Sequence, residues 1–495
     1  MSYLVAVACL LALAAPSAFA QSPSPVGDWY GALGVGGRAL RLVMHITGEP
    51  GAFKATMDSP DQGAKDIPMD SVTLAGNRVT LGLKMAGASY EGDIDAGGNT
   101  IAGKWRQMGS EMPLTLHRSL DGKPVEVTPD KVPEPIRPQN PKRPYPYREV
   151  EVGFATKTPG VRLAGTLTLP RGKGPFPAVM LLTGSGAQDR DEELLGHRPF
   201  LVWSDALTRR GIAVLRCDDR GVGKSGGSMA LATTSDFAWD ALCGVAFLRQ
   251  RPEIDPRRVG LMGHSEGACT AALAASRSAD VAFVVHLAGT GVTGDQVILA
   301  QAEAIGRAQG LPEETLRAAQ KTNSTIYSIV KARKGDIETA EALRKALAES
   351  FDALPEDQRK AMGDPQAGIA AQVQQVTSPW FVHFLTHDPT TALRKVRCPI
   401  LALNGELDLQ VLPDQNLPPI RRALAAAGNR RAKLVRLPGL NHLFQTCDTG
   451  NPSLYGQIKE TVSPSALKLV CDWVVATTRT AASRPTGTPK RCCRP

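Results

Sequence analysis

The chain has 495 residues, is 42% apolar, and carries 57 Lys and Arg against 48 Asp and Glu, a net charge of +9. That length leaves room for two or three domains. The charge is spread along the chain, with a local excess only at Arg479, Arg484, Lys490, Arg491 and Arg494, and aromatics make up 5%; with no nucleic-acid motif beside them, this argues against a nucleic-acid partner. Beyond the first twenty residues no apolar run reaches the roughly 18–20 residues that span a bilayer, so no stable membrane insertion is expected.

Residues 1–20 are apolar and end in Ala18-Phe19-Ala20 before Gln21. This is the pattern of a cleaved signal peptide and predicts an exported protein, periplasmic or secreted. Residues 27–118 read as all-β. Short alternating runs at 40–46, 53–57, 78–83, 89–94 and 100–105 are separated by Gly- and Asn-rich turns. Such spacing predicts a meander closed or half closed into a small barrel, with Trp29 and Trp105 in its core. Residues 119–146 contain Pro133, Pro135, Pro138, Pro141 and Pro144. A stretch so rich in proline is expected to be a stiff spacer that packs no core.

From 147 to 478, buried-strand runs alternate with helical patterns, as a doubly wound, mostly parallel α/β sheet requires. The alternation is interrupted at about 290–395 by Ala-, Glu-, Lys- and Arg-rich helical segments. These predict a helical insertion into the sheet's connections. Residues 479–495 read as a basic disordered tail.

The most specific feature is Gly263-His264-Ser265-Glu266-Gly267, between an apolar run and an Ala-rich helical pattern. A serine on a sharp strand-to-helix turn exposes its hydroxyl at a sheet edge, the setting of a nucleophile elbow. A serine hydroxyl needs a general base, and the base needs an orienting carboxylate. His442 and Asp408 follow Ser265 in the expected order, each just past a strand-like run, where open α/β sheets assemble sites. Glu406 is the rival acid. His286 lies inside an apolar run and reads as a satisfied core histidine, while His383 and His387 fall in a Trp/Phe-rich segment that could line a pocket.

An acyl-transfer site also needs backbone donors for the oxyanion. The residue after the nucleophile, Glu266, supplies one. The loop after the run ending at Leu182 supplies the other, from Ser185 with Gly186 as the alternative. Gly186 and Gln188 of that loop are expected to face substrate. Trp380, Phe381 and Phe384 are candidate wall residues from the helical insertion, or else its anchors to the core. Cys217 and Cys398 read as small buried hydrophobes, and Cys447 with Cys471 is a conceivable disulfide. No metal-ligand spacing appears, and neither metal nor cofactor is expected.

These motifs resemble the α/β-hydrolase superfamily, and within it bacterial secreted or periplasmic carboxylesterases. The resemblance rests on Gly184-Ser185-Gly186-Ala187-Gln188-Asp189-Arg190-Asp191, the run from Arg216 to Ser225, Gly263 to Gly267, Gly405 to Asp408, and Leu440 to Phe444. It implies hydrolysis of short acyl esters of small molecules, and it implies that the helical insertion is a cap over the site. The same machinery would serve an acyltransferase or thioesterase. A peptidase of the prolyl-oligopeptidase type would need charged anchors for a peptide terminus and often a propeller, for which the N-terminal segment is too short. A ligand-binding protein on a hydrolase frame is the reading from another class.

Overall fold

The computed structural model describes residues 24–482 except 36–37, 63, 84–86, 108–109, 131–136, 334, 357–358 and 360–364. The expected signal peptide and residues 483–495 of the expected tail lie outside the described residues; 479–482, expected as tail, instead end the helix Pro464–Ala482, because the helical pattern runs past the first basic residue. The chain divides into two compact units within the Pro-rich stretch.

The first unit is one antiparallel sheet. Its strands are β1 (Gly27–Val35), β2 (Arg38–Thr47), β3 (Lys54–Ser59), β4 (Ala64–Pro68), β5 (Ser71–Ala75), β6 (Arg78–Leu83), β7 (Ala88–Ile94), β8 (Thr100–Gln107) and β9 (Ser110–Arg118). They lie in the order β4-β3-β2-β1-β9-β8-β7-β6-β5. The first and last strands meet in the middle, with Trp29 opposite Arg118 and Tyr30 opposite His117. Alternate residues point to one core, as the period of two in a pleated strand dictates. Ala55 and Met57 of one arm share that core with Leu81 and Leu83 of the other, so the sheet curls around it as a half-closed barrel. Trp29 is fully buried and its indole donates to the Pro25 carbonyl at 2.7 Å; Trp105 is buried too.

The second unit holds eight strands: β10 (Arg148–Ala155), β11 (Arg162–Leu169), β12 (Phe176–Leu182), β13 (Ala213–Cys217), β14 (Ile254–His264), β15 (Val284–Leu287), β16 (Ile400–Gly405) and β17 (Ala432–Leu437). Their order is β10-β11-β13-β12-β14-β15-β16-β17. Pairing is antiparallel at β10–β11 and β11–β13 and parallel elsewhere. The central strands are buried on both faces, which is why they read as unbroken apolar runs and not as alternation. Helix α1 (Pro199–Thr208) follows β12, α2 (Thr234–Arg249) follows β13 and α3 (Glu266–Arg277) follows β14. A capping box between Thr233 and Asp236 starts α2, satisfying orphan amides of its first turn.

Between β15 and β16 the chain leaves the sheet as helices Gly294–Ala308, Glu313–Ala332, Asp336–Asp352, Gln366–Val376, Pro379–Thr386 and Pro389–Leu393. They bury a separate cluster that includes Ile326, Leu343, Val373 and Leu385. This is the predicted cap.

Three further expectations need correction. The second half of the Pro-rich stretch is not a bare spacer. Arg137 is buried and donates to the carbonyls of Leu195, Gly196, Gly456 and Ile458, and Gln139 donates to Val462 O and accepts from the Thr461 and Val462 amides. Proline content does not report such contacts, because they come from the residues between the prolines. Cys447 and Cys471 are free thiols, not a disulfide; Cys471 is packed in the core with Val470 and Val474. His286 is buried, but neither ring nitrogen has a hydrogen-bond partner among the described residues, and burial pushes its pKa down to about 4.

Candidate active site

Ser265 stands between β14 and α3 with φ 54° and ψ −117°. A non-glycine residue held there stores roughly 1–3 kcal/mol of strain. Its surroundings hold it: the Ser265 amide donates to Leu287 O at 2.8 Å, and its carbonyl accepts from Ala268 N at 3.1 Å. The flanking glycines are dictated by close packing. A Cβ on Gly267 would fall onto the carbonyl oxygens of Leu182 and Thr183, and one on Gly263 onto the Gly267 backbone.

Asp408 and His442 follow β16 and β17 and meet at 2.8 Å, Oδ2 to Nδ1. Asp408 is fully buried. Its Oδ1 accepts from the amides of Gln410 (2.9 Å) and Val411 (2.8 Å), and Asn404 Nδ2 donates to Oδ2 at 3.3 Å. The carboxylate is therefore fixed before the imidazole meets it. With Nδ1 donating to Asp408, Nε2 of His442 carries the lone pair a general base needs. Glu406, the rival acid, instead accepts from the Gly439 amide at 3.2 Å on the exposed side of the turn.

The loop after β12 is held by acids from the loop after β13. Asp219 accepts from Thr183 Oγ1 at 2.9 and 3.1 Å and from the Gln188 amide at 3.0 Å. Burial pushes the Asp219 carboxyl up to about 7; the Gln188 and Thr183 bonds oppose this, and Glu192 and Glu266 add to it. Arg190 donates to both Asp218 oxygens at 2.9 and 2.7 Å and to Glu151 at 2.9 Å, and Arg216 pairs with Asp191. Spacing alone does not join the two loops. The signal was present: acids and arginines alternate in each.

The Glu266 amide occupies the first position of α3, where no intrahelical acceptor exists. Its side chain has a role that sequence reasoning missed. The buried carboxylate accepts from Thr234 Oγ1 at 2.7 Å and from Trp380 Nε1 at 2.9 and 3.1 Å. Burial raises its pKa despite the Thr234 and Trp380 donors.

Ser265, His442, Ser185, Gln188 and Glu266 line one cavity of about 280 Å³, with Val292, Val297, Ile298, Phe384 and His387 from the cap side. Gly186 does not line it; it borders a separate cavity of about 50 Å³ together with Asp219 and Asp240. Trp380 and Phe381, expected as walls, do not line the larger cavity either. Trp380 is spent on Glu266, and Phe381 packs against the cap's own core. Of the three aromatics named from sequence, Phe384 reaches the cavity, stacked on Trp380 at 5.4 Å. Among the described residues no cluster of His, Cys, Asp and Glu could hold a metal ion, and no helix is long and apolar enough to cross a membrane.

An eight-stranded, mostly parallel sheet with a serine elbow after its fifth strand, and an Asp–His pair after its last two, defines an α/β hydrolase. The chain belongs to the X-Pro dipeptidyl-peptidase (S15) family, whose model matches residues 159–436, more than half of its length. It is similar to esterase EstD of Thermotoga maritima, 26% identical over 315 residues, covering 63% of this chain and 65% of that protein. It is also similar to thiohydrolase aneE of Aspergillus aculeatus, 33% identical over 143 residues, covering 28% of this chain and 41% of that one. The chain thus spans less than two thirds of the length of either relative. Among solved structures it is similar to esterase PF2001 of Pyrococcus furiosus, with 16% identity, a TM-score of 0.40, and coverage of 68% of this chain and 91% of that one.

Proposed function

We propose that the protein is a serine carboxylesterase that hydrolyses short-chain acyl esters of small molecules. The carrying observation is the Asp408–His442 pair opening on the same cavity as a strained Ser265. In this reading His442 Nε2 takes the Ser265 proton as Oγ attacks the ester carbonyl, and Asp408 stabilises the imidazolium that forms. The amides of Ser185 and Glu266 meet the oxyanion; one such donor contributes about 3–4 kcal/mol. His442 protonates the leaving alcohol, then activates water to release the acid from the acyl-enzyme.

The size and lining of the cavity support short, uncharged acyl groups. At about 280 Å³ it is small beside pockets of roughly 300–1,000 Å³ that hold drug-sized ligands. Among the described residues no Lys or Arg lines it, and its two carboxylates, Glu192 and Glu266, are already hydrogen-bonded, so a charged acyl chain would enter without a free partner, which is costly. The family favours a second reading, release of an Xaa-Pro dipeptide. That substrate's ammonium would need a free carboxylate, and both acids that line this cavity are engaged: Glu266 by Thr234 and Trp380, and Glu192 by His264 and the Gly184 amide. Thioester hydrolysis, suggested by the similarity to a thiohydrolase, would use the same groups.

The test is hydrolysis of nitrophenyl esters of two to sixteen carbons by wild type and Ser265→Ala, with acyl thioesters and Xaa-Pro nitroanilides alongside. Activity peaking at short esters and lost in the variant is expected. Faster turnover of Xaa-Pro substrates would replace this reading with the peptidase one. We also propose that residues 1–20 direct export; N-terminal sequencing of the protein from a cell envelope fraction should begin at Gln21.

A further inference from the structure

One buried titratable pair is not used in the steps above. His264 precedes the nucleophile, and Glu192 lies in the loop after β12 at φ 53°. Both side chains are buried. Glu192 Oε1 is 3.0 Å from His264 Nδ1 and accepts from the Gly184 amide at 2.7 Å. His264 Nε2 is 3.0 Å from the His442 carbonyl oxygen. The two histidine rings lie 4.7 Å apart, centroid to centroid.

The partners dictate the protons. A carbonyl oxygen only accepts, so Nε2 of His264 carries hydrogen. Nδ1 faces a carboxylate oxygen, which in its ionised form also only accepts. Both ring nitrogens then donate, and the ring is an imidazolium. We propose that Glu192 and His264 form a buried carboxylate–imidazolium clamp, a positioning pair that ties the Gly184 amide of the oxyanion loop to the backbone of His442. One carboxylate oxygen binds the loop that precedes the oxyanion donor, and the ring it charges binds the residue that supplies the base. The distance between the two halves of the site is thereby set by a buried ion pair at the wall of the cavity that holds Ser265.

The electrostatic surroundings agree. Burial alone would lower the ring's pKa. Glu192, the His442 carbonyl and the Asp408 carboxylate outweigh it, and the net direction is upward. Phe444 meets the ring edge-on at 6.5 Å and brings no charge. Buried ion pairs seldom add net stability, and fixing one geometry is their better-attested use.

The clamp's effect on catalysis rests on the esterase reading; its protonation state does not. The first measurement is therefore nitrogen-15 NMR of histidine-labelled full-length protein at pH about 8, where an unperturbed imidazole (pKa about 6.5) is neutral. His45 lies 2.7 Å from Asp28 and 3.4 Å from Asp58, so the experiment uses the His45→Gln background. One ring with both nitrogens protonated is expected, and its signal should vanish in His45→Gln/His264→Gln. A spectrum with only neutral rings would place the proton on Glu192 or nowhere, and would overturn the clamp. The second measurement is nitrophenyl acetate turnover by Glu192→Gln. A neutral His264 has one N–H for two acceptors, so kcat should fall about 10–100-fold while KM stays within about twofold, the signature of misplaced groups. Unchanged kcat would remove the positioning role. If wild type hydrolyses no ester, the functional reading fails while the NMR result still decides the clamp.

Discussion

The indole N–H of Trp380 donates to both carboxylate oxygens of Glu266, at 2.9 and 3.1 Å, across 114 residues of sequence. The helix Pro379–Thr386 of the cap is thus tied to the residue that follows the nucleophile. Trp380 also stacks on Phe384, with ring planes 3° apart, and Phe384 lines the cavity. A cap residue that does not line the cavity therefore sets the position of one that does.

Trp380→Phe keeps the stack and removes the donor. A buried carboxylate losing a partner costs about 1–3 kcal/mol. The variant should melt earlier, and its ratio of longer-chain to acetyl ester turnover should rise as Phe384 loosens. A melting point and chain-length profile equal to wild type would show that the bond does not hold the cap.

Asp408→Asn keeps the two backbone amide bonds to the residue but favours the wrong imidazole tautomer. In a Ser-His-Asp site this substitution lowers kcat by about 10⁴. The same order of loss is expected here, with an unchanged circular dichroism spectrum. Retention of more than a tenth of wild-type kcat would point to another acid.

Asp219 gives a pH signature with a definite sign. Its folded pKa is raised to about 7 from an ordinary 3.8. Between those values the folded state holds a proton that the unfolded state has released, so stability falls as pH rises from about 4 to 7. Asp219→Asn removes that dependence while its amide oxygen still accepts from Thr183 and Gln188. Urea unfolding at pH 5 and pH 8 should show a smaller difference for the variant than for wild type. An equal difference would mean that other groups carry it.

Arg137→Ala removes four carbonyl contacts made by a buried guanidinium. Hydrogen bonds involving a charged group contribute about 1.5–3 kcal/mol each, not additively. The melting temperature should drop by several degrees while kcat on a short ester stays near wild type. A variant as stable as wild type would return residues 137–146 to the role of a spacer.

Much of the architecture was legible from spacing. Period-two alternation with Gly/Asn punctuation marked the β domain. Apolar runs marked the central strands β12, β15 and β16, and the loss of strand pattern after Leu287 marked the cap. These are local properties of a backbone that must pleat or turn within a few residues. The same locality put Ser265, Asp408 and His442 at strand ends, because Gly263 and Gly267 are demanded by contacts a few ångströms away.

Three-dimensional packing was needed for the rest. Spacing could name Trp380, Phe381 and Phe384 as candidates but could not say which ring faces the cavity, since that depends on how the helix Pro379–Thr386 rotates against α2 and the neighbouring cap helices. It placed Glu266 by its amide and was silent on its carboxylate, whose donors come from Thr234 and Trp380. It had no means to find Glu192 beside His264, or Arg137 beneath Ile458. Each is a buried polar side chain whose partner lies far along the chain, and a desolvated charge is defined by what surrounds it in space.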